Sequence, residues 1–310
     1  QALGQGVDHF PFESLGDRTL TCARGVNAVP IAEWVVAMLL TAVKQLPDHW
    51  LSEPPRRWVL ADLGSLEGAT VGLVGLGSIN RAVAERLTPF GCRMVAVTRS
   101  GAPSPVPGVT VTTDVREAVA DADHVVIGAP LTPETEHMFD DDLFAAMKPG
   151  GHLVNVARGS IVDQAALRRA LDSGQVGVAS LDVCEPEPLP EGHWLYTHPG
   201  VRLSPHVSWC SPGAVEDLRE DFSDNLERWL DGRALKGVVD VEAGVQRSLD
   251  VCDGVGEGEG QLLNSRGTGL AHMIAADAYG IPAGHILAAV LEHVGDQSHG
   301  RPRRVDVGTP

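Results

Sequence analysis

Three polar residues far apart in the chain, Arg158, Glu187 and His206, are of the types needed to move a proton beside a bound carboxylate. Imidazole, with an ordinary pKa of about 6.5, gives and takes a proton near neutral pH. A carboxylate beside it orients the ring and favours its charged form. The planar guanidinium of arginine meets a carboxylate with two parallel hydrogen bonds, which lysine does less well. Taken singly, each has a plainer account: a loop histidine after Pro205, a solvated acid before Pro188, an arginine capping a turn before Gly159. The elements around them must decide.

Residues 70–74, Thr-Val-Gly-Leu-Val, form a short β-rich apolar run, followed by Gly75-Leu76-Gly77-Ser78-Ile79-Asn80 and a helical stretch ending near Leu87. Strand, glycine turn and helix in that order make a dinucleotide-binding unit. The first glycine permits the tight turn, and the second lets the backbone approach a pyrophosphate at the positive helix N-terminus, here at Ser78 and Ile79. Position three of the fingerprint is Asn80, where glycine or alanine is usual, so helix and strand are expected to pack less closely there. The next strand, Met94 to Val97, ends in Thr98-Arg99-Ser100. An acid at that place would bind the ribose 2′-hydroxyl of NAD, whereas arginine with small hydroxyl neighbours suits the 2′-phosphate of NADP. NADP is the preferred cofactor, with NAD as the other possibility; Arg99 also has the plainer account of a solvated surface residue.

Composition narrows the class. At 310 residues with 43% hydrophobic content, the chain is long enough for about two domains with a sizeable core. A net charge of -17 speaks against a nucleic-acid partner, so an anionic ligand must be caught by local devices such as helix ends and arginines. The five cysteines, at 22, 92, 184, 210 and 252, include no CxxC pair, which fits reduced thiols and a cytoplasmic protein. The longest apolar stretch, Ile31 to Val43, contains Glu33 and is too short to span a bilayer, and no signal-like start is legible.

Ile31 to Gln45 has helical spacing and reads as a buried helix between Pro30 and Pro47, placed to join two lobes. From Val71 onward, strands and helices alternate: 71–74, 81–87, 93–97, 115–120, 124–127, 140–147, 152–155, 164–173 and 177–182. That rhythm predicts an α/β fold with a doubly wound parallel sheet, whose ligands sit beyond the carboxyl ends of the strands. Arg158, Asp182 and the Pro130 turn each follow a predicted strand.

Five ordered motifs then carry a family resemblance. They are Gly72-Leu73-Val74-Gly75-Leu76-Gly77, Pro130-Leu131-Thr132-Pro133-Glu134-Thr135, Asn155-Val156-Ala157-Arg158-Gly159-Ser160-Ile161-Val162-Asp163, Leu181-Asp182-Val183-Cys184-Glu185-Pro186-Glu187-Pro188 and Ser204-Pro205-His206-Val207-Ser208. The segment resembles the D-isomer-specific 2-hydroxyacid dehydrogenases, a group that includes glyoxylate/hydroxypyruvate reductases and phosphoglycerate dehydrogenase. The likeness reaches back to Gly4-Gln5-Gly6-Val7-Asp8-His9 and forward to about Val245.

The resemblance implies a Rossmann nucleotide domain, a flavodoxin-like substrate domain, a small 2-oxo or D-2-hydroxy acid as substrate, and a homodimer to which Trp50 and Trp58 are suited. His206 would exchange the proton of the carbonyl oxygen, Glu187 would orient the imidazole, and Arg158 would bind the substrate carboxylate and polarise the carbonyl. Asp182 would bind the nicotinamide carboxamide or else cap the following turn. Pro130, Thr135 and Ala157 would line the nucleotide cleft, and the amides of Gln5 and Gly6 would meet the substrate carboxylate. Trp209 has two equal accounts, shaping the pocket or packing the core. Formate dehydrogenases resemble the chain but place Gln where Glu187 stands, so Glu187 points to a hydroxy-acid/oxo-acid couple.

The expected organisation is a remnant of the substrate domain at 1–49, ending in the interdomain helix, the nucleotide domain at 50–207, a return segment at 208–245, and an atypical, poorly ordered tail at 246–310. The substrate domain reads as truncated, because family members begin well before the Gly-Val-Asp-His segment. The tail has a low-complexity stretch at Gly254 to Gly260 and a helix candidate at Ile286 to Val294, but its histidines, 272, 285, 293 and 299, lack metal-ligand spacing. Beside the reductase reading stand two alternatives: a nucleotide-sensing binding protein of the same fold, and an inactive fragment.

Overall fold

The computed structural model describes residues 1–8, 10–46, 49–58 and 61–240. His9, Pro47 and the whole 246–310 tail, with its helix candidate and histidines, lie outside the described residues. Among the described residues the chain divides into two compact units, one of 1–23 with 215–240, the other of Arg24–Ala214.

The larger unit is built on a seven-stranded sheet, all of whose pairings are parallel. In chain order the strands are β1 (Thr70–Val74), β2 (Arg93–Val97), β3 (Val109–Thr112), β4 (His124–Ile127), β5 (Gly151–Asn155), β6 (Val176–Leu181) and β7 (Val201–Leu203). Their spatial order is β3-β2-β1-β4-β5-β6-β7, so the winding reverses between β1 and β4. A crevice opens beyond the carboxyl ends of strands at such a reversal.

The central strands β1, β4 and β5 are buried at every residue. Their near-continuous apolar runs are what a parallel sheet covered on both faces requires. Alternate side chains feed two separate cores. Val74, Val125, Ile127 and Leu153 join Phe139, Phe144 and Leu167 on one face. Val71, Leu73, Val126 and Val154 join Ile31, Val35 and Leu39 on the other.

The helices are α1 (Ala28–Val43), α2 (Ser78–Leu87), α3 (Val115–Ala120), α4 (Asp141–Ala146), α5 (Gln164–Ser173) and α6 (Ala214–Leu230). In α1 the buried positions 28, 31, 32, 35 and 39 form one stripe at helical spacing. Truncating the fully buried Leu39 to alanine would cost about 2–5 kcal/mol. Contrary to the sequence expectation, α1 starts before Pro30 rather than after it. Pro30 sits in the first turn, where its missing N–H would have had no helical partner. The helix also belongs to the larger unit and packs on α2. Asp114, Asp140 and Asp163 cap α3, α4 and α5 by accepting first-turn amides.

Two edge strands and one helix escaped the sequence reading. β3 and β7 are short and only part-buried, so their apolar signal is weak. α6 carries many charged residues, and its exposed Val215, Trp229 and Leu230 blur the periodicity.

In the smaller unit, Ala2 bridges Cys22, and Thr21 bridges Val238, around a core of Val7, Leu15, Leu20, Cys22 and Val239. Gly237, at φ +59°, is needed there, because a Cβ would fall 2.2 Å from the Cys22 carbonyl oxygen.

Candidate functional site

The glycine turn leaves β1 with Gly75 at φ +84°, where an added Cβ would lie 3.0 Å from the Ala129 backbone. Glycine is required on both counts. Gly77 is the N-cap of α2, has no side chain with which to cap it, and faces open space where its Cβ would project. The first-turn amides of α2, at Ser78 and Ile79, follow this open position at the positive end of a ten-residue helix, the kind of end that suits an anionic group. Ile79 is buried and anchors that end in the core.

One expectation is overturned here. Asn80 does not loosen helix against strand: it is fully buried, and its amide nitrogen donates to the carbonyl oxygens of Gly75 at 2.7 Å and Val74 at 3.3 Å. The packing stays tight because Gly128, in the neighbouring strand's exit, leaves space for the larger side chain.

Beyond β2, the Thr98 amide donates to the Thr112 carbonyl and the Thr98 hydroxyl accepts from the Gly101 amide, which makes a compact turn. Arg99 and Ser100 are exposed upon it. Glu134 faces the same region: hydrogen bonds from Thr132 first and from its own backbone amide next, with a smaller part from the charge of Arg99, hold its carboxyl below the usual value. After β4, Thr135 folds the Pro130 turn back on itself, donating to the Pro130 carbonyl at 2.7 Å and accepting from the Thr132 amide at 2.8 Å.

The Arg158 loop follows β5. Asn155, buried at the strand end, accepts from the Ala157 amide at 3.0 Å and donates to the Arg158 carbonyl at 2.8 Å. The side chain thus ties off the loop like an Asx turn, a role unread in the sequence although the Asn-x-Ala-Arg spacing is its signature. Arg158 itself is part-buried and extended, and its guanidinium donates to the Ala157 carbonyl. Gly159 then passes so close to the 184 backbone that a Cβ would sit 2.1 Å from it. That approach, together with the Ser160 hydroxyl bond to Glu185 at 2.7 Å, brings the Arg158 loop against the Cys184–Glu187 loop.

Glu187 and His206 meet across these loops. Nδ1 of His206 lies 2.9 Å from one Glu187 oxygen, and the other oxygen accepts from the Cys184 amide at 3.0 Å. Partial burial pushes the Glu187 carboxyl up. The hydrogen bonds from His206 and the Cys184 amide, with the charges of His206 and Arg158, outweigh that and hold it below the usual carboxylate value. Burial, with Glu187, Glu185 and Asp182 nearby, pushes the Cys184 thiol up to about 11, so it stays protonated at neutral pH.

His206 adopts φ +53°, a left-handed conformation unusual for a residue with a side chain. Its amide donates to the Asp182 and Ser204 carbonyls, and its own carbonyl accepts from the Trp209 indole at 3.0 Å. The Asp182 carboxylate, nearly fully buried, accepts from the Ser204 hydroxyl at 2.5 Å and from the amides of Val207 and Ser208, both at 2.9 Å. Asp182 thus caps the turn that carries His206. Trp209 is part-buried against the core that includes α1 and α2. Gln5 and Gly6 belong to the smaller unit and are part-buried ahead of Val7. Among the described residues, no group of His, Cys, Asp and Glu is placed to hold a metal ion, and no helix is long and apolar enough to cross a membrane.

The chain is 34% identical over 246 residues to the human glyoxylate reductase/hydroxypyruvate reductase, covering 75% of this chain and 74% of that protein. It is 34% identical over 244 residues to the formate dehydrogenase of Pseudomonas sp. (strain 101), where the match spans only 60% of the relative's length. Among solved structures, the NADPH-dependent glyoxylate/hydroxypyruvate reductase of Sinorhizobium meliloti, in complex with NADP and sulfate, superposes with a TM-score of 0.71 at 27% identity, over 78% of each chain. With residues 36–208 matched by the profile of the D-isomer specific 2-hydroxyacid dehydrogenase NAD binding domain, and the glycine turn, Arg158 loop and His206 turn all within that span, the chain belongs to this family.

Proposed function

We propose that this chain, as part or whole of an enzyme, catalyses reversible hydride transfer between NAD(P)H and a small 2-oxo acid, giving the D-2-hydroxy acid, in the manner of a glyoxylate/hydroxypyruvate reductase. The observation that carries the reading is the His206–Glu187 pair at 2.9 Å, on a turn held beside the Arg158 loop. A bound nicotinamide cofactor would supply the hydride.

The chain's own residues then have distinct tasks. Arg158 binds the substrate carboxylate through its fork and draws electron density from the adjacent carbonyl. Nδ1 of His206 is engaged by Glu187, so the proton given to the carbonyl oxygen comes from Nε2. Glu187 keeps the ring in register and stabilises the imidazolium from which that proton leaves. In the oxidation direction the same nitrogen takes the proton back.

For the cofactor, Gly75, Gly77, Ser78 and Ile79 would hold the pyrophosphate, with Pro130, Thr135 and Ala157 along the cleft. Thr98, Arg99 and Ser100 favour the 2′-phosphate of NADP over NAD. Asp182 would add the nicotinamide carboxamide to the contacts it already makes. Gln5 and Gly6 enter this reading through the family pattern, as backbone donors to the substrate carboxylate, with the smaller unit as part of a substrate domain. A homodimer in the cytoplasm completes the reading: Trp50 and Trp58, 70% and 87% exposed, are large apolar surfaces suited to a second copy.

Glu187 favours an oxo-acid couple over formate, since a carboxylate that stabilises imidazolium serves a reaction that needs a proton donor. Cofactor oxidation at 340 nm, with glyoxylate, hydroxypyruvate, pyruvate and phosphohydroxypyruvate against NADPH and NADH, tests the proposal. Turnover with a 2-oxo acid and NADPH is expected. Turnover with formate and NAD alone would overturn the substrate class, and a preference for NADH would overturn the part given to Arg99.

A further inference from the structure

The glycine turn of this chain departs from the dinucleotide fingerprint at one place, and the structure shows what stands in for the missing glycine. Asn80 is completely buried in α2, facing the reversal between β1 and β4. Its Nδ2 faces three carbonyl oxygens: Gly75 at 2.7 Å, Val74 at 3.3 Å and Val126 at 3.5 Å. Three acceptors converging on one atom can be met only by a donor, so the amide is oriented by its surroundings. The turned-away Oδ1 is buried and has no hydrogen-bond partner among the described residues. A buried acceptor left so is costly, and glycine or alanine at position 80 would avoid it.

The space for this amide comes from another strand. Gly128 follows β4, and a Cβ there would come within 2.7 Å of both Cγ and Nδ2 of Asn80 and 2.8 Å of Oδ1. Gly128 also donates its amide to the Val74 carbonyl at 2.9 Å, so the two strand ends are already drawn together. The fingerprint's third glycine lets helix and strand approach. Here the small residue has moved to the neighbouring strand, and the helix side has gained a donor.

We propose that Asn80 is a positioning residue for the dinucleotide: its amide pins the Gly75 turn across the ends of β1 and β4, and Gly128 is the complementary gap that admits it. This rests on the reading that the turn holds the cofactor pyrophosphate, but the pinning itself is measurable without cofactor.

The test compares the intact chain with N80A, G128A and the N80A/G128A double variant. Kd for NADPH, from quenching of its fluorescence, is expected to rise about tenfold in N80A, as loss of a short buried hydrogen bond converts to affinity. KM for the 2-oxo acid at saturating NADPH should stay within about twofold, which general loosening of the fold would not allow. G128A should match N80A, because its methyl group displaces the amide. The double variant should be no worse than either single, since the two changes destroy one interaction. N80A binding as tightly as the parent overturns the proposal, as do losses that multiply in the double variant. Amide exchange at Leu76 and Gly77 without cofactor gives a second reading, faster in N80A if the turn is pinned and unchanged if it is not. Should the parent chain bind no dinucleotide while exchange still accelerates in N80A, the cofactor reading of the turn fails and the pinning stands. If N80A does not fold, G128A carries both measurements.

Discussion

Two turns at the carboxyl edge of the same sheet hold a left-handed residue, and they do so by opposite means. At the glycine turn, Gly75 has φ +84° and no room for a Cβ, so side-chain identity is given up to let the backbone through. At the His206 turn, φ is +53° and the side chain is retained, while hydrogen bonds around the Asp182 peptide and carboxylate hold the backbone in place. A turn that presents backbone amides can be glycine. One that presents an imidazole must hold an unfavourable conformation by other contacts.

The largest expected effect separates side chain from backbone at the second turn. His206→Gly should lower turnover by about 10²–10⁴-fold, the usual range for removing a general acid. Its stability should stay within about 1 kcal/mol of the parent, because glycine relieves the left-handed strain. Urea unfolding and steady-state rates check both; undiminished turnover would remove His206 from the mechanism.

Next comes the scaffold of that turn. Asp182→Ala leaves three donors without their acceptor, and we expect a loss of about 3 kcal/mol in urea unfolding and roughly a hundredfold in turnover from a misplaced imidazole. A variant that loses stability and keeps its rate would show that the turn holds itself.

An acid titration distinguishes both turns from the sheet that carries them. His124 and His152 lie on adjacent strands with Nδ1 atoms 3.2 Å apart, and His152 reaches the Ser180 hydroxyl at 3.0 Å. Burial lowers the His124 pKa to about 4 against the nearby charge of Asp123, and burial lowers that of His152 well below its usual value. Both are held neutral in the fold. As pH falls from about 6.5 towards 4, the unfolded chain takes up protons that the folded chain refuses, so stability declines through that window by about 3 kcal/mol from His124 alone. Urea midpoints between pH 7.5 and 4.5 read this directly. A flat profile would mean that these imidazoles are not held neutral.

At the first turn, Gly75→Ala should weaken NADPH binding about tenfold, through a strained φ and contact with the Ala129 backbone. Equal binding would show that the turn has slack to move. The smallest effect is expected at Arg99→Ala, a severalfold rise in KM for NADPH with NADH unaffected, the exposed arginine meeting phosphate in high dielectric.

Most of the fold was legible because its signals are local. Strand, glycine turn and helix occur within 70–87, and the alternating elements to residue 182 follow from short apolar runs and helical spacing. The edge strands β3 and β7 were not, being too exposed to leave such a run. Of the site, the sequence alone determined the residue types, the glycine turn and the order of the motifs. Only the tertiary structure decided how they are held: Asn155 closing the Arg158 loop, Gly159 lying against the 184 backbone, Asp182 capping a turn 24 residues later, Gly128 making room for an asparagine 48 residues before it. The reason is physical. A propensity belongs to neighbours in the chain, whereas a buried hydrogen bond or a missing Cβ takes its meaning from whatever distant backbone the fold brings against it.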